Sequence, residues 1–132
     1  AGSDEISKGL RMYRENTPDS KVGFFRNFNP ELYAKLIANS SCLIGNSSSA
    51  IREGSFLGVP AVNIGTRQNK REAGDNVLNA NYDRADIESK ILYQLEHGPY
   101  PKSTLYGDGN SGQAIAKILA KSDIKTQKVL SY

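Results

Sequence analysis

The chain has 132 residues, 38% of them apolar and 23% charged, with a formal net charge of +3 at pH 7. That composition fits one globular domain and excludes disorder as the default, and no apolar run approaches the roughly 18 residues of a membrane-spanning helix. A lone cysteine, Cys42, excludes an internal disulfide framework, and with no signal-like segment at the start the expected setting is cytoplasmic.

Ser3 to Arg14 is predicted as a helix, begun by Ser3 or Asp4, with Ile6, Leu10 and Tyr13 spaced for one buried stripe. Thr17-Pro18-Asp19 ends it, and Lys21 to Phe25 is a short candidate strand. The polar stretch Arg26-Asn27-Phe28-Asn29 leads into Pro30, a favourable first helical residue, and Leu32, Tyr33, Leu36 and Ile37 give the second helix its inner face. Cys42, Leu43 and Ile44 suit a buried strand, with Cys42 as a small core hydrophobe, and Gly45-Asn46 allows a sharp exit. A helix follows Ser47-Ser48-Ser49, and Gly58-Val59-Pro60 turns the chain into a strand over Ala61 to Ile64. The polar loop GTRQNKREAGDN precedes a last strand at Val77 and Leu78. Asp83 or Asp86 starts a helix with Ile87, Ile91, Leu92 and Leu95 at helical spacing, ending near Gly98 and Pro99. Ser111 to Lys121 forms the final helix, with Ile115, Ile118 and Leu119 inside.

One domain over residues 1–121 and a polar basic tail over 122–132 follow. Lys117, Lys121, Lys125 and Lys128 face the lone acid Asp123, and a solvated helix face explains them better than nucleic acid, since no zinc-finger, KH or RRM signature is present. Strands alternating with helices predict an α/β, Rossmann-like parallel sheet with helices on both faces. Opening on a helix and supplying only three or four short strands, the chain reads as a doubly wound domain with its beginning removed. A sheet so shortened leaves edges and apolar faces uncovered, so a homo-oligomer is expected.

The three consecutive serines exceed what helix capping requires. One hydroxyl satisfies the first unpaired N–H; with Ser49 as the cap, Glu53 falls one residue too late for a capping box and is free for another role. A strand, a polar turn and a helix N-terminus at the carboxyl edge of an open sheet form an anion site, most often for phosphate. His97, the sole histidine, stands at a helix end where a charged imidazole complements the dipole, and Tyr106-Gly107-Asp108-Gly109-Asn110 reads as structural, with Asp108 or Asn110 capping the last helix.

The stretch IGNSSSAIREGSFLGVPAVNIGTRQNKREAGDNV, with YGDGN at 106–110, resembles the carboxyl-terminal part of the UDP-N-acetylglucosamine 2-epimerases, from Gly2 to about Leu119. The resemblance implies a glycosyltransferase-B fold, of which this chain is an incomplete carboxyl-terminal domain, with a UDP-sugar bound against a missing amino-terminal domain. It implies that Ser47 and Ser48 bind the diphosphate, Glu53 the ribose hydroxyls and Arg67 the phosphates, while the backbone at Phe28 reads the uracil edge. No redox cofactor or obligatory metal is implied, and the family's catalytic histidine and carboxylates lie upstream of Ala1, so no catalytic residue is assigned here and the fragment alone is expected to be inactive. The serine-rich turn followed by Gly-Thr-Arg-Gln is more similar to hydrolysing members than to non-hydrolysing ones. A non-hydrolysing UDP-N-acetylglucosamine 2-epimerase, a glycosyltransferase of the same architecture and a non-catalytic nucleotide-binding or interaction module are the alternatives.

Overall fold

A computed structural model describes residues 3–123, so the basic tail lies, beyond Asp123, outside the described residues. Along the chain run helix α1 (Ser3–Asn16), helix α2 (Pro30–Ala38), strand β1 (Leu43–Gly45), helices α3 (Ser48–Ile51) and α4 (Glu53–Leu57), and strand β2 (Ala61–Ile64). Strand β3 (Val77–Ala80), helix α5 (Arg84–His97) and helix α6 (Ser111–Lys121) complete it. The strands form one parallel sheet in the order β1-β2-β3, with Ile44 opposite Val62 and Val62 opposite Leu78.

Ala61, Val62 and Asn63 of β2 are all at most 1% exposed. Successive strand residues point to opposite faces, so both faces of the central strand are covered, as a parallel sheet requires. Helix α3 packs on β1 and β2, α5 on β2 and β3, and α2 lies on α4. The α/β, Rossmann-like expectation holds.

Lys21 to Phe25 is not a strand: the segment is irregular and largely exposed. Strands exist by pairing, and β1 pairs only with β2, so this segment finds no ladder among the described residues. The same lack of neighbours corrects the burial expected of the outer helices. Ile6, Leu10 and Tyr13 on α1 and Ile115, Ile118 and Leu119 on α6 are exposed, and on α2 only Ile37 is fully buried. On α5, Leu92 and Leu95 are exposed, Ile87 and Ile91 are half-buried, and the fully enclosed side chain is Gln94.

That glutamine is buried where it adds side-chain hydrogen bonds to the start of the sheet. Its Nε2 donates to the carbonyls of Ala61 and Asn76, each at 2.8 Å, where β2 begins and just before β3 begins. A second buried amide, Asn76, donates to the Val59 carbonyl at 2.7 Å and accepts from Ser55 Oγ at 2.6 Å. Gly58 closes α4 in the left-handed region at φ 72°, and the amide of Tyr100 donates to its carbonyl at 2.8 Å. A Cβ at Gly58 would overlap the Tyr100 carbonyl oxygen.

Candidate functional site

The carboxyl ends of β1 and β2 release two loops on the same edge of the sheet. Strand β1 leaves through Gly45 at φ 141°, a backbone angle that side chains rarely tolerate, and Asn46 then delivers the serines. The helix cap is Ser47 rather than Ser49: its backbone is extended, and its Oγ accepts from the Ser49 amide at 3.3 Å. Starting the helix this early lets Ala50 and Ile51 reach the sheet, where both are buried. Ser48 follows as the first helical residue and is half-buried.

Helix α3 stops after one turn, at Arg52, and α4 restarts at Glu53. The break turns Glu53 into a cleft of about 470 Å³ that it shares with Arg52, Phe56, Tyr106, Gly107 and Ser111. The Arg52 guanidinium lies 5.8 Å from the centre of the Tyr106 ring, and the Tyr106 hydroxyl donates to the Glu72 carbonyl. Residues 106–111 therefore help to wall the cleft that holds Glu53. Sequence reasoning treated them as structural, and no local spacing connects two segments so far apart. Nor does the loop cap α6, for Asn110 makes no side-chain cap bond. Asp108 instead accepts from both the amide and the side chain of Asn110, each at 3.0 Å, and the Asn110 side chain, followed by the Asn110 amide, holds its carboxyl below the ordinary range.

The loop after β2 turns at Gly65, φ 76°, and returns to the serine turn. Arg67 Nη1 approaches Asn46 Oδ1 at 3.5 Å, and Gln68 Nε2 donates to the Asn46 carbonyl at 2.8 Å. Arg67 is exposed, whereas Gln68 is buried. The Arg67 and Ser47–Ser48 segments are thus brought together through one residue, Asn46.

Phe28 sits apart. Its ring is 5.0 Å from that of Phe25 and stacks on Tyr33 at 6.4 Å, in a separate cavity of about 360 Å³ lined also by Arg26 and Asn27. Its amide donates to Asn27 Oδ1 at 2.9 Å, which leaves the carbonyl as its backbone group for a ligand. His97 stacks flat on Tyr100 at 3.9 Å, beside the end of α5. Burial pushes the Cys42 thiol up, which suppresses the thiolate a reactive cysteine would need.

The family model described as UDP-N-acetylglucosamine 2-epimerase matches residues 2–120. A UDP-N-acetylglucosamine 2-epimerase of Neisseria meningitidis serogroup B is 26% identical over 110 residues, which are 83% of this chain and 28% of that protein. A UDP-N,N'-diacetylbacillosamine 2-epimerase (hydrolyzing) of Legionella pneumophila is 29% identical over 126 residues, 96% of this chain and 33% of the relative. A GDP/UDP-N,N'-diacetylbacillosamine 2-epimerase (hydrolyzing) of Campylobacter jejuni is 32% identical over 103 residues, 71% of this chain and 27% of the relative. The chain thus spans about a third of the length of the curated relatives it matches. With the match running through both loops of the site and almost from end to end, the chain belongs to the UDP-N-acetylglucosamine 2-epimerase family.

Proposed function

We propose that this chain is the UDP-holding part of a UDP-sugar 2-epimerase of hydrolysing type, an incomplete carboxyl-terminal domain of a glycosyltransferase-B fold. The observation that carries this reading is the meeting of Arg67 and Gln68 on Asn46, immediately before the Ser47 cap. It gathers a permanent cation and two hydroxyls at the carboxyl edge of a parallel sheet, where α/β folds bind ligands. Ser47, Ser48 and Arg67 hold the diphosphate, and Glu53 accepts from the two ribose hydroxyls. The carbonyl of Phe28 meets the uracil edge.

In the reaction, a base removes the proton at C2 of the sugar while the C1–O bond breaks and UDP departs, leaving a 2-acetamidoglucal. Water then adds to the other face and gives the free 2-epimeric sugar. The residues of this chain stabilise charge on the departing diphosphate, which lowers the elimination barrier. The proton-transfer groups belong to the remainder of the protein, so this third alone does not turn over. The hydrolysing type is supported by the names of the Legionella and Campylobacter relatives and by the serine-rich turn with its Gly-Thr-Arg-Gln loop.

Calorimetric titration of the full-length protein tests the site. Arg67→Ala should weaken UDP by about 1.5–3 kcal/mol while sparing uridine. Glu53→Ala should weaken UDP and uridine alike but spare a 2′,3′-dideoxy analogue; equal losses for all three ligands would reduce Glu53 to a fold-supporting role. Incubation with UDP-N-acetylglucosamine tests the reaction type. Free sugar and UDP are expected, whereas an equilibrium of two UDP-sugars would make the enzyme non-hydrolysing, and sugar transfer dependent on an acceptor would make it a glycosyltransferase.

A further inference from the structure

We infer that Gln68 is a positioning residue for the diphosphate site, acting through Asn46 without touching the ligand; the inference rests on the reading of Arg67 and the serines given above. Gln68 is 5% exposed, and its amide nitrogen donates to the Asn46 carbonyl at 2.8 Å. Its Oε1 is buried with no hydrogen-bond partner among the described residues. An orphaned buried acceptor is destabilising, so an apolar side chain of similar length would fill the same space with no orphan. What the amide adds is a fixed distance between two loops.

The geometry shows why that distance matters. The Asn69 amide donates to the Thr66 carbonyl at 3.0 Å and the Arg71 amide to that of Gln68 at 3.2 Å, so residues 66–71 form a tight turn. Within it Gln68 points inward and Arg67 outward. Anchoring Gln68 on Asn46 therefore sets where the Arg67 guanidinium stands, and Asn46 in turn sets the entry into the Ser47 cap. A diphosphate held from both loops needs them in one register, because a preorganised site binds more tightly than one the ligand must assemble.

The test is a double-mutant cycle in the full-length protein, with Gln68→Met and Arg67→Ala, read by calorimetry with UDP and uridine and by thermal unfolding. Gln68→Met is expected to weaken UDP about fivefold, the loss of one neutral hydrogen bond. Uridine binding and the unfolding midpoint should stay nearly unchanged. In the Arg67→Ala background the same substitution should cost UDP less than twofold. Equal weakening of both ligands, full additivity with Arg67→Ala, or unchanged UDP binding would each overturn the inference. If Arg67→Ala itself leaves UDP binding intact, the underlying reading fails and this inference falls with it. If Gln68→Met does not fold, Gln68→Asn carries the same test, being one methylene too short to reach the Asn46 carbonyl.

Discussion

The Tyr100 hydroxyl donates to Gln94 Oε1 at 2.7 Å, and the nitrogen of that same amide donates to two carbonyls at the start of the sheet. Gln94 is completely buried, and losing it strips the Ala61 carbonyl and the Tyr100 hydroxyl of a partner, whereas the Asn76 carbonyl keeps the Ala61 amide. Gln94→Leu should therefore cost about 2–4 kcal/mol, and Tyr100→Phe about 1–2 kcal/mol, because it orphans only Gln94 Oε1. Urea unfolding of the two variants checks this order, and Tyr100→Phe as the more damaging of the pair would contradict it.

Stability should fall at both ends of the pH scale, for separate reasons. Burial raises the Tyr100 hydroxyl above its ordinary range, so its contribution is present below the unfolded value and lost as pH rises past about 10. Asp86 is held low by the Lys90 ammonium at 2.7 Å and by the Asn81 amide at 2.8 Å, and Asp108 is held low by Asn110. Their contributions are present above the ordinary carboxylate range and disappear as pH falls below about 4. Thermal unfolding across pH should show the alkaline loss reduced in Tyr100→Phe and the acid loss reduced in Asp86→Asn.

Gly58→Ala should be among the most damaging single substitutions. It combines a left-handed backbone with a methyl group driven into the Tyr100 carbonyl oxygen, on a hydrogen bond that ties α4 to the chain after α5. A loss of more than about 3 kcal/mol is expected. Gly98→Ala offers a control, since its φ is also positive at 74° but nothing lies near the added methyl, so its cost, about 1–3 kcal/mol, comes from backbone strain alone at ψ −160°.

The two serines should separate by measurement. Ser47→Ala removes the helix cap and, on the reading proposed here, a phosphate donor, so it should lower both stability, by about 1 kcal/mol, and UDP affinity. Ser48→Ala should lower affinity alone. A single hydroxyl can accept from the Ser49 amide and donate its own proton to a phosphate, so the two roles of Ser47 do not compete. Loss of stability confined to Ser48→Ala would reverse the assignment.

The 132-residue chain on its own should self-associate. Its α1 and α6 stripes are exposed, and β1 and β3 each present an edge with no strand beside it among the described residues. Sedimentation equilibrium over a wide concentration range is expected to show mass above that of a monomer, and monomer throughout would refute it.

Elements with punctuation were legible in the sequence. Pro30 marked the start of α2, Gly58 the end of α4, and Asp83, whose side chain accepts from the Asp86 amide at 2.9 Å, the start of α5. What escaped was set by partners distant in the chain. Lys21 to Phe25 has strand composition but no strand to pair with, and nothing near Gln94 in the sequence signals its burial, because the carbonyls it binds lie at Ala61 and Asn76. The serine turn was visible as a turn, yet the choice of Ser47 over Ser49 as the cap depended on where Ala50 and Ile51 had to be buried. The Gly-Thr-Arg-Gln motif singled out Arg67 in the sequence, whereas the convergence of Arg67 and Gln68 on Asn46 became visible only in the fold.

The connection from β2 to β3 crosses between neighbouring parallel strands without a helix, through turns and irregular chain. Its two ends are pinned by Gln68 and Asn76, while Asn69 to Ala73 lie exposed between them, with Lys70 at φ 65°. Cutting the chain between Lys70 and Arg71 would leave each new end tethered, one by the Gln68 amide and the other by the Tyr106 hydroxyl on Glu72. A protease nick there, or new termini placed there in a circular permutant, should leave the protein folded yet open the turn of residues 66–71 that carries Arg67 and Gln68, so the candidate site should suffer before the fold does.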